Sequence, residues 1–135
     1  MAKRPNKDYV AANRNFLTEL SALENIHSLG GGVLYKVITQ GEGDRHPTLQ
    51  NVVSVHYEGR LISGRTFDST RNNSYPETFR LREVIEGWQI ALQQMCVGDR
   101  WEVYIPSEVG YGDRTIDNIP GGSTLIFDIE LFCIN

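Results

Sequence analysis

The sequence predicts an α+β protein: an antiparallel β-sheet wrapped around one short helix, with a helical extension ahead of it. Three features point there. From residue 33 onward, short runs rich in β-branched and aromatic residues are punctuated by turns. Within them one stretch, Val84 to Met95, changes to helical spacing. Ahead of both, residues 8–28 carry an apolar stripe that stops at Gly30-Gly31-Gly32. At 135 residues, 40% of them hydrophobic and 22% charged, the chain can bury one core and not two. The expected division is an extension over 1–30 and a sheet domain over 31–135.

In the extension, Val10, Phe16, Leu17, Leu20, Leu23 and Ile26 recur at three- and four-residue steps among polar residues. The glycine triplet predicts a stop followed by a flexible joint. Such a stripe must be buried, either on its own domain or against a second copy. The strand candidates are Val33 to Thr39, Asn51 to Leu61, Thr78 to Leu81, Trp101 to Ile105 and Thr124 to Ile134. Ile62-Ser63-Gly64-Arg65 reads as a hairpin turn. In the last strand Leu125, Phe127, Ile129 and Leu131 alternate with Thr124, Ile126, Asp128 and Glu130. Val84, Trp88, Leu92 and Met95 share one helical face, and Gly98 stands near the stop.

Several functions are poorly served by these residues. A net charge of −4, with its one basic cluster at Lys3, Arg4 and Lys7, argues against nucleic acid as a partner. No run approaches the roughly 18 apolar residues of a membrane span. No apolar stretch follows the basic start, which predicts a cytoplasmic chain, or a periplasmic one if an export signal was trimmed. Cys96 and Cys133 form no CxxC and read as buried thiols. His27, His46 and His56 lack metal-ligand spacing, so neither metal nor cofactor is expected, and alternation turns His56 away from the core. There is no Gly-x-Ser-x-Gly. Gly41-Glu42-Gly43 lacks the third glycine of a dinucleotide loop, and Gly121-Gly122-Ser123-Thr124 lacks the lysine of a phosphate loop.

What remains is a series of apolar and aromatic residues with one carboxylate among them. They stand in Val55-His56-Tyr57-Glu58-Gly59, Thr66-Phe67-Asp68-Ser69-Thr70, Glu83-Val84-Ile85-Glu86-Gly87-Trp88, Gly110-Tyr111-Gly112, Ile119-Pro120 and the run 124–131. In this order and spacing the chain, over about residues 33 to 134, resembles the FKBP-type peptidyl-prolyl isomerases. Asn15-Phe16-Leu17 and the stretch Gly32 to Ile38 resemble the lead-in to the isomerase domain of the bacterial macrophage-infectivity-potentiator-like subgroup, whose members dimerise through a longer helical region.

The resemblance implies an FKBP-like fold and rotation of X–Pro bonds in polypeptide substrates, without a cofactor. It implies Trp88 as a floor for the proline ring, with Tyr57, Phe67, Val84, Ile85 and Phe127 as walls. Tyr111 through its hydroxyl and Ile119 through its backbone N–H would hold substrate carbonyls. Asp68, oriented by the Tyr57 hydroxyl, would serve the twisting amide. A macrolide is the implied small-molecule ligand, and monomer and helix-mediated dimer are both open.

The chain departs from the pattern at three places. Glu77 stands where many members carry a wall phenylalanine, which predicts weaker binding of macrolides and of apolar residues before proline. Asn73 replaces an arginine that often pairs with the position of Asp68, a role left to Arg71. The loop 113–118 is short, polar and without glycine. The rival reading is a non-catalytic module that holds Pro-containing peptides in the same cleft.

Overall fold

The computed structural model describes residues 6–135; Lys3 and Arg4 lie outside the described residues. Helix α1 spans Lys7–Ser21. It starts where Asn6 accepts hydrogen bonds from the backbone N–H of Asp8 (2.8 Å) and Tyr9 (3.1 Å), satisfying two otherwise orphaned donors. It is shorter than the stripe over 8–28 suggested. After Ser21 the chain turns back, and β1 (His27–Ser28) pairs with Tyr35 and Leu34 of β2 (Leu34–Thr39). Ile26 thereby reaches the apolar cluster under α1, a gain that further helix would forfeit.

The glycine triplet is an elbow packed against the domain, not a loose joint. Gly31 holds φ at 68°, and a Cβ there would lie 2.9 Å from Ile90 Cδ1.

The remaining elements are β3 (Val52–Arg60), β4 (Thr66–Ser69), β5 (Glu77–Arg80), α2 (Glu86–Leu92), β6 (Arg100–Ile105) and β7 (Leu125–Ile134). The strands form one antiparallel sheet in the order β1-β2-β6-β7-β3-β4. β5 shares an edge of β3 with β4: it pairs with Val52–Val55, and β4 with Glu58–Arg60. β4 was not foreseen, since Thr66–Ser69 is short and ends in polar residues.

Alternation along β3 sets the two faces. Val53, Val55 and Tyr57 point inward and are buried, while Ser54, His56 and Glu58 stand outward and half-buried. His56 meets Thr70 Oγ1 at 3.0 Å and the edge of Phe132 on that outer face.

The inner face closes over α2. Trp88, Leu92 and Met95 enter the core together as expected, although Val84 precedes the helix and Met95 follows it. Gly87 permits the close approach, because a Cβ there would sit 2.5 Å from Ile105 Cγ2.

The outer face carries α1. Phe16, Leu17, Leu20 and Ile26 pack on Leu34, Tyr104 and Ile126, so much of the helical stripe is buried on its own domain. Beside α1 the same face is a lattice of ion pairs, Arg60–Glu102 (3.0 Å), Arg100–Asp128 (2.7 Å) and Arg71–Asp128 (2.9 Å). Among the described residues no helix is long and apolar enough to cross a membrane.

Candidate functional site

α2 presents Trp88 toward the concave side of the sheet, where β3 and β7 supply Tyr57 and Phe127 and β5 supplies Phe79. All three rings stand edge-on to the indole. Centroid distances are 5.0 Å to Tyr57, 5.5 Å to Phe79 and 5.3 Å to Phe127, with interplanar angles of 82–89°. Edge-to-face contacts point the positive ring edges of one partner at the negative face of the other, which fixes the box. Phe67, from β4, meets Phe127 edge-on at 5.6 Å and extends the wall outward. Gly59 makes this possible: a Cβ there would fall 2.6 Å from Phe127 Cε1 and 2.7 Å from Phe67 Cζ.

The box opens as a cleft of about 350 Å³, the size range of small-ligand sites. Trp88, Tyr57 and Phe127 line its depth, Phe67, Phe79, Val84 and Ile85 its sides, and Asp68, Glu83 and Tyr111 its mouth. Trp88 is only 4% exposed, and it still borders the open volume, as a floor should. Its Nε1–H is buried and, among the described residues, has no hydrogen-bond partner. Such a donor costs about 1–3 kcal/mol.

Two phenols supply the polar chemistry. Tyr57 donates to Asp68 Oδ2 at 2.6 Å. Burial pushes the Tyr57 hydroxyl far above the usual tyrosine range, and the Asp68 carboxylate adds to the shift. The Tyr111 hydroxyl is pushed up as well, by burial first and then by the charges of Asp68 and Asp117. Both stay protonated and able to donate. Among the described residues no histidine, cysteine or serine lines the cleft, so its two carboxylates, Asp68 and Glu83, have no hydroxyl or thiol nucleophile of that kind to activate.

Eight of the nine residues expected from sequence border this cleft: Tyr57, Phe67, Asp68, Val84, Ile85, Trp88, Tyr111 and Phe127. Ile119 does not. It is 7% exposed and outside the lining, and its N–H is spent on Ile116 O at 2.9 Å in the turn that closes the loop 113–118. Arg71 does not reach Asp68 either. It leaves β4 on the outer face and pairs with Asp128 and Glu130.

Sequence reasoning missed Phe79 and Glu83. β5 is too short to display alternation, and the inward face of Phe79 is set by its register opposite Val53, which the sequence does not display. Ile85 N–H was missed too; it lacks a protein acceptor among the described residues.

Cys96 and Cys133 are free as expected, but they are only half-buried and not the buried thiols the sequence suggested. Among the described residues no group of three or more His, Cys, Asp or Glu side chains could hold a metal ion.

Comparison with known proteins places this cleft in context. The family model described as FKBP-type peptidyl-prolyl cis-trans isomerase matches residues 43–132. Peptidyl-prolyl cis-trans isomerase Mip of Coxiella burnetii is 41% identical over 123 residues, which cover 90% of this chain and 53% of that protein. An outer membrane protein MIP of Legionella longbeachae is 38% identical, with 99% of this chain and 60% of that protein covered. The chain thus spans somewhat over half the length of these curated relatives. A crystal structure of a peptidyl-prolyl cis-trans isomerase from Pseudomonas syringae pv. tomato superposes with a TM-score of 0.88 at 34% identity, covering 100% of this chain and 99% of the other.

Proposed function

The chain belongs to the FKBP-type peptidyl-prolyl cis-trans isomerase family, and from that premise we propose that it accelerates cis-trans rotation of X–Pro bonds in polypeptides. The observation that carries the proposal is Trp88 at the bottom of an open cavity of about 350 Å³, boxed edge-on by Tyr57, Phe79 and Phe127.

The chemistry follows from the amide. Rotation passes through a twisted state that has lost its resonance, over a barrier of about 20 kcal/mol. That state has a less polar carbonyl and a more localised nitrogen lone pair than the planar amide. A dry aromatic box solvates the planar form poorly and the twisted form comparatively well, so it binds the transition state better. Each 1.36 kcal/mol of such difference is about tenfold in rate. No bond breaks, which suits a cleft without a nucleophile.

In this reading the proline ring lies on Trp88, and the Tyr111 hydroxyl and the unpaired Ile85 N–H hold substrate carbonyls. Asp68, oriented by Tyr57, offers a carboxylate to the twisting amide. Ile119 has no direct role.

The test is a protease-coupled assay on a proline tetrapeptide, with refolding of a proline-limited protein as a second readout. Trp88→Ala and Tyr111→Phe should both be slower than wild type, and wild-type turnover equal to either variant overturns the reading. Peptide binding without acceleration would select the non-catalytic module.

Three finer points belong to the same proposal. Glu77, on the same face of β5 as Phe79, makes the cleft a weak macrolide site. The chain is a monomer in this reading, because Phe16, Leu17 and Leu20 are packed on its own sheet; sizing of the full chain decides. For location, the relative named as an outer membrane protein supports the exported branch over the cytoplasmic one, and cell fractionation separates them.

A further inference from the structure

The segment from Pro106 to Thr124, between β6 and β7, carries Tyr111 to the mouth of the cleft. Its inner bonds are Gly112 N–H to Ser107 O (2.8 Å) and Gly122 N–H to Gly112 O (2.9 Å). Both stems of this loop rest on α1. Among the described residues five polar side chains are buried, and three of them meet at that contact: Asn13 (2% exposed), Ser123 (3%) and Thr124 (1%).

Each has a definite partner. Thr124 N–H donates to Asn13 Oδ1 at 2.7 Å, and Asn13 Nδ2 donates to Tyr9 O at 2.8 Å. Ser123 Oγ donates its one proton to Pro120 O at 2.6 Å. The Tyr9 hydroxyl, 2.7 Å from Ser123 Oγ, is therefore the donor in that pair. On the other stem Arg14 pairs with Glu108 at 2.8 Å, an exposed contact worth little alone.

A helix docked only for its apolar stripe would need none of these buried polar bonds. Each left half-made would penalise the folded state, so together they admit one register of helix against loop.

We propose that α1 is a clasp across the two stems of the Tyr111 loop, with Asn13 and Tyr9 as positioning residues for the Tyr111 hydroxyl. The extension is then part of the isomerase unit and not an appendage to it. This rests on the isomerase reading of the cleft. Asn13 and Tyr9 touch no substrate; they act through the loop.

The test uses the full chain. Asn13→Ala should lower kcat/KM on a proline tetrapeptide by about tenfold, the scale of one hydrogen bond in a transition state. Tyr9→Phe, which removes a hydroxyl and opens no cavity, should lower it by about threefold. Asn13→Asp, which keeps an acceptor for Thr124 N–H, should recover part of the loss.

The discriminating step is a double-mutant cycle with Tyr111→Phe. If the clasp works through Tyr111, adding Tyr9→Phe or Asn13→Ala to Tyr111→Phe costs little more. Losses that multiply in full, or wild-type kcat/KM in both Tyr9→Phe and Asn13→Ala, overturn the proposal.

Hydrogen exchange is a readout independent of activity. Amides of residues 111–122 should exchange faster in Tyr9→Phe than in wild type, with β3 and β7 unchanged. Unchanged loop exchange counts against the clasp even where no isomerase activity is found. Absent wild-type turnover with faster loop exchange sinks the isomerase reading and leaves the clasp as a structural contact, which also overturns it as a positioning device.

Discussion

Gly59→Ala perturbs the cleft from behind its walls, without replacing a residue that lines it. The added Cβ would lie 2.6 Å from Phe127 Cε1 and 2.7 and 2.9 Å from the ring of Phe67. Ordinary contact starts at 3.4 Å, so the nearer ring must retreat by about 0.8 Å. Phe127 has little room: it is 3% exposed and abuts Trp88 at 5.3 Å. Phe67 is half-buried beside the opening and has more room to give, so the clash distorts the cleft wall on both rings. Overpacking of this kind costs about 1–3 kcal/mol, against a total of about 5–15 kcal/mol, so the protein stays folded. If about 1.4 kcal/mol of the displacement is felt by the twisted amide, kcat/KM falls about tenfold. Urea unfolding reads the first quantity and the protease-coupled assay the second. Gly30→Ala is the control, because nothing lies within 4 Å of a Cβ there. A Gly59→Ala protein with wild-type midpoint and wild-type kcat/KM would refute the reasoning, since Phe67 and Phe127 could not then be the fixed wall described.

Other consequences follow from the same geometry. Because both site phenols are held protonated, kcat/KM should not fall as pH rises from about 6 to 9; a loss across that range would mean that a phenol the substrate needs has given up its proton. On the outer face burial alone would raise Asp128, but hydrogen bonds and charge from Arg100, with Arg71, outweigh it and hold the carboxyl below its ordinary value. A depressed folded pKa contributes stability above the unfolded value near 4 and loses it as pH falls through the folded one. The stability gap between wild type and Asp128→Asn, read by urea unfolding, should therefore be wide at pH 7 and shrink toward pH 3, and a gap that grows on acidification contradicts the assignment. Glu77→Phe adds a ring on the Phe79 side of β5 and should tighten macrolide binding by about tenfold or more, the value of burying part of an aromatic side chain; an unchanged Kd by calorimetry would mean that residue 77 does not face the bound ligand.

The inward placement of Tyr57, Trp88 and Phe127 was legible in the sequence because it follows simple periods, while their reading as floor and walls came from the family resemblance. Tyr57 and Phe127 sit on strands long enough to show alternation, and Trp88 lies in step with Leu92 and Met95. Phe79 was hidden because β5 has four residues, so its inward face comes from the register against Val53, a tertiary fact. Ile119 failed for another reason. Whether a loop N–H is free depends on how the loop closes, and here Ile116 takes it. Arg71 is a matter of direction: two residues after Ser69, at the exit of β4, the carboxylates within its reach are Asp128 and Glu130 of the outer face. The stripe of α1 was visible, but its partner was not, since an amphipathic helix looks the same whether it covers its own sheet or another copy's.

The residues that would bind the substrate are also the core. Tyr57, Trp88 and Phe127 belong to the same buried cluster as Val55, Leu92 and Ile129, with no separate layer between site and interior. Removing a large aromatic side chain from such a place costs about 3–5 kcal/mol, a large share of the whole stability. Loss of turnover in Trp88→Ala is therefore ambiguous on its own between a missing floor and a loosened fold. Tyr111→Phe and Gly59→Ala carry the argument better: one removes a hydroxyl at the rim, and the other moves a wall through a contact of known size. The overlap also explains how the cleft stays open without collapsing. Each ring is held edge-on by at least one neighbour, so the hollow is kept by packing around it and does not need a ligand to prop it.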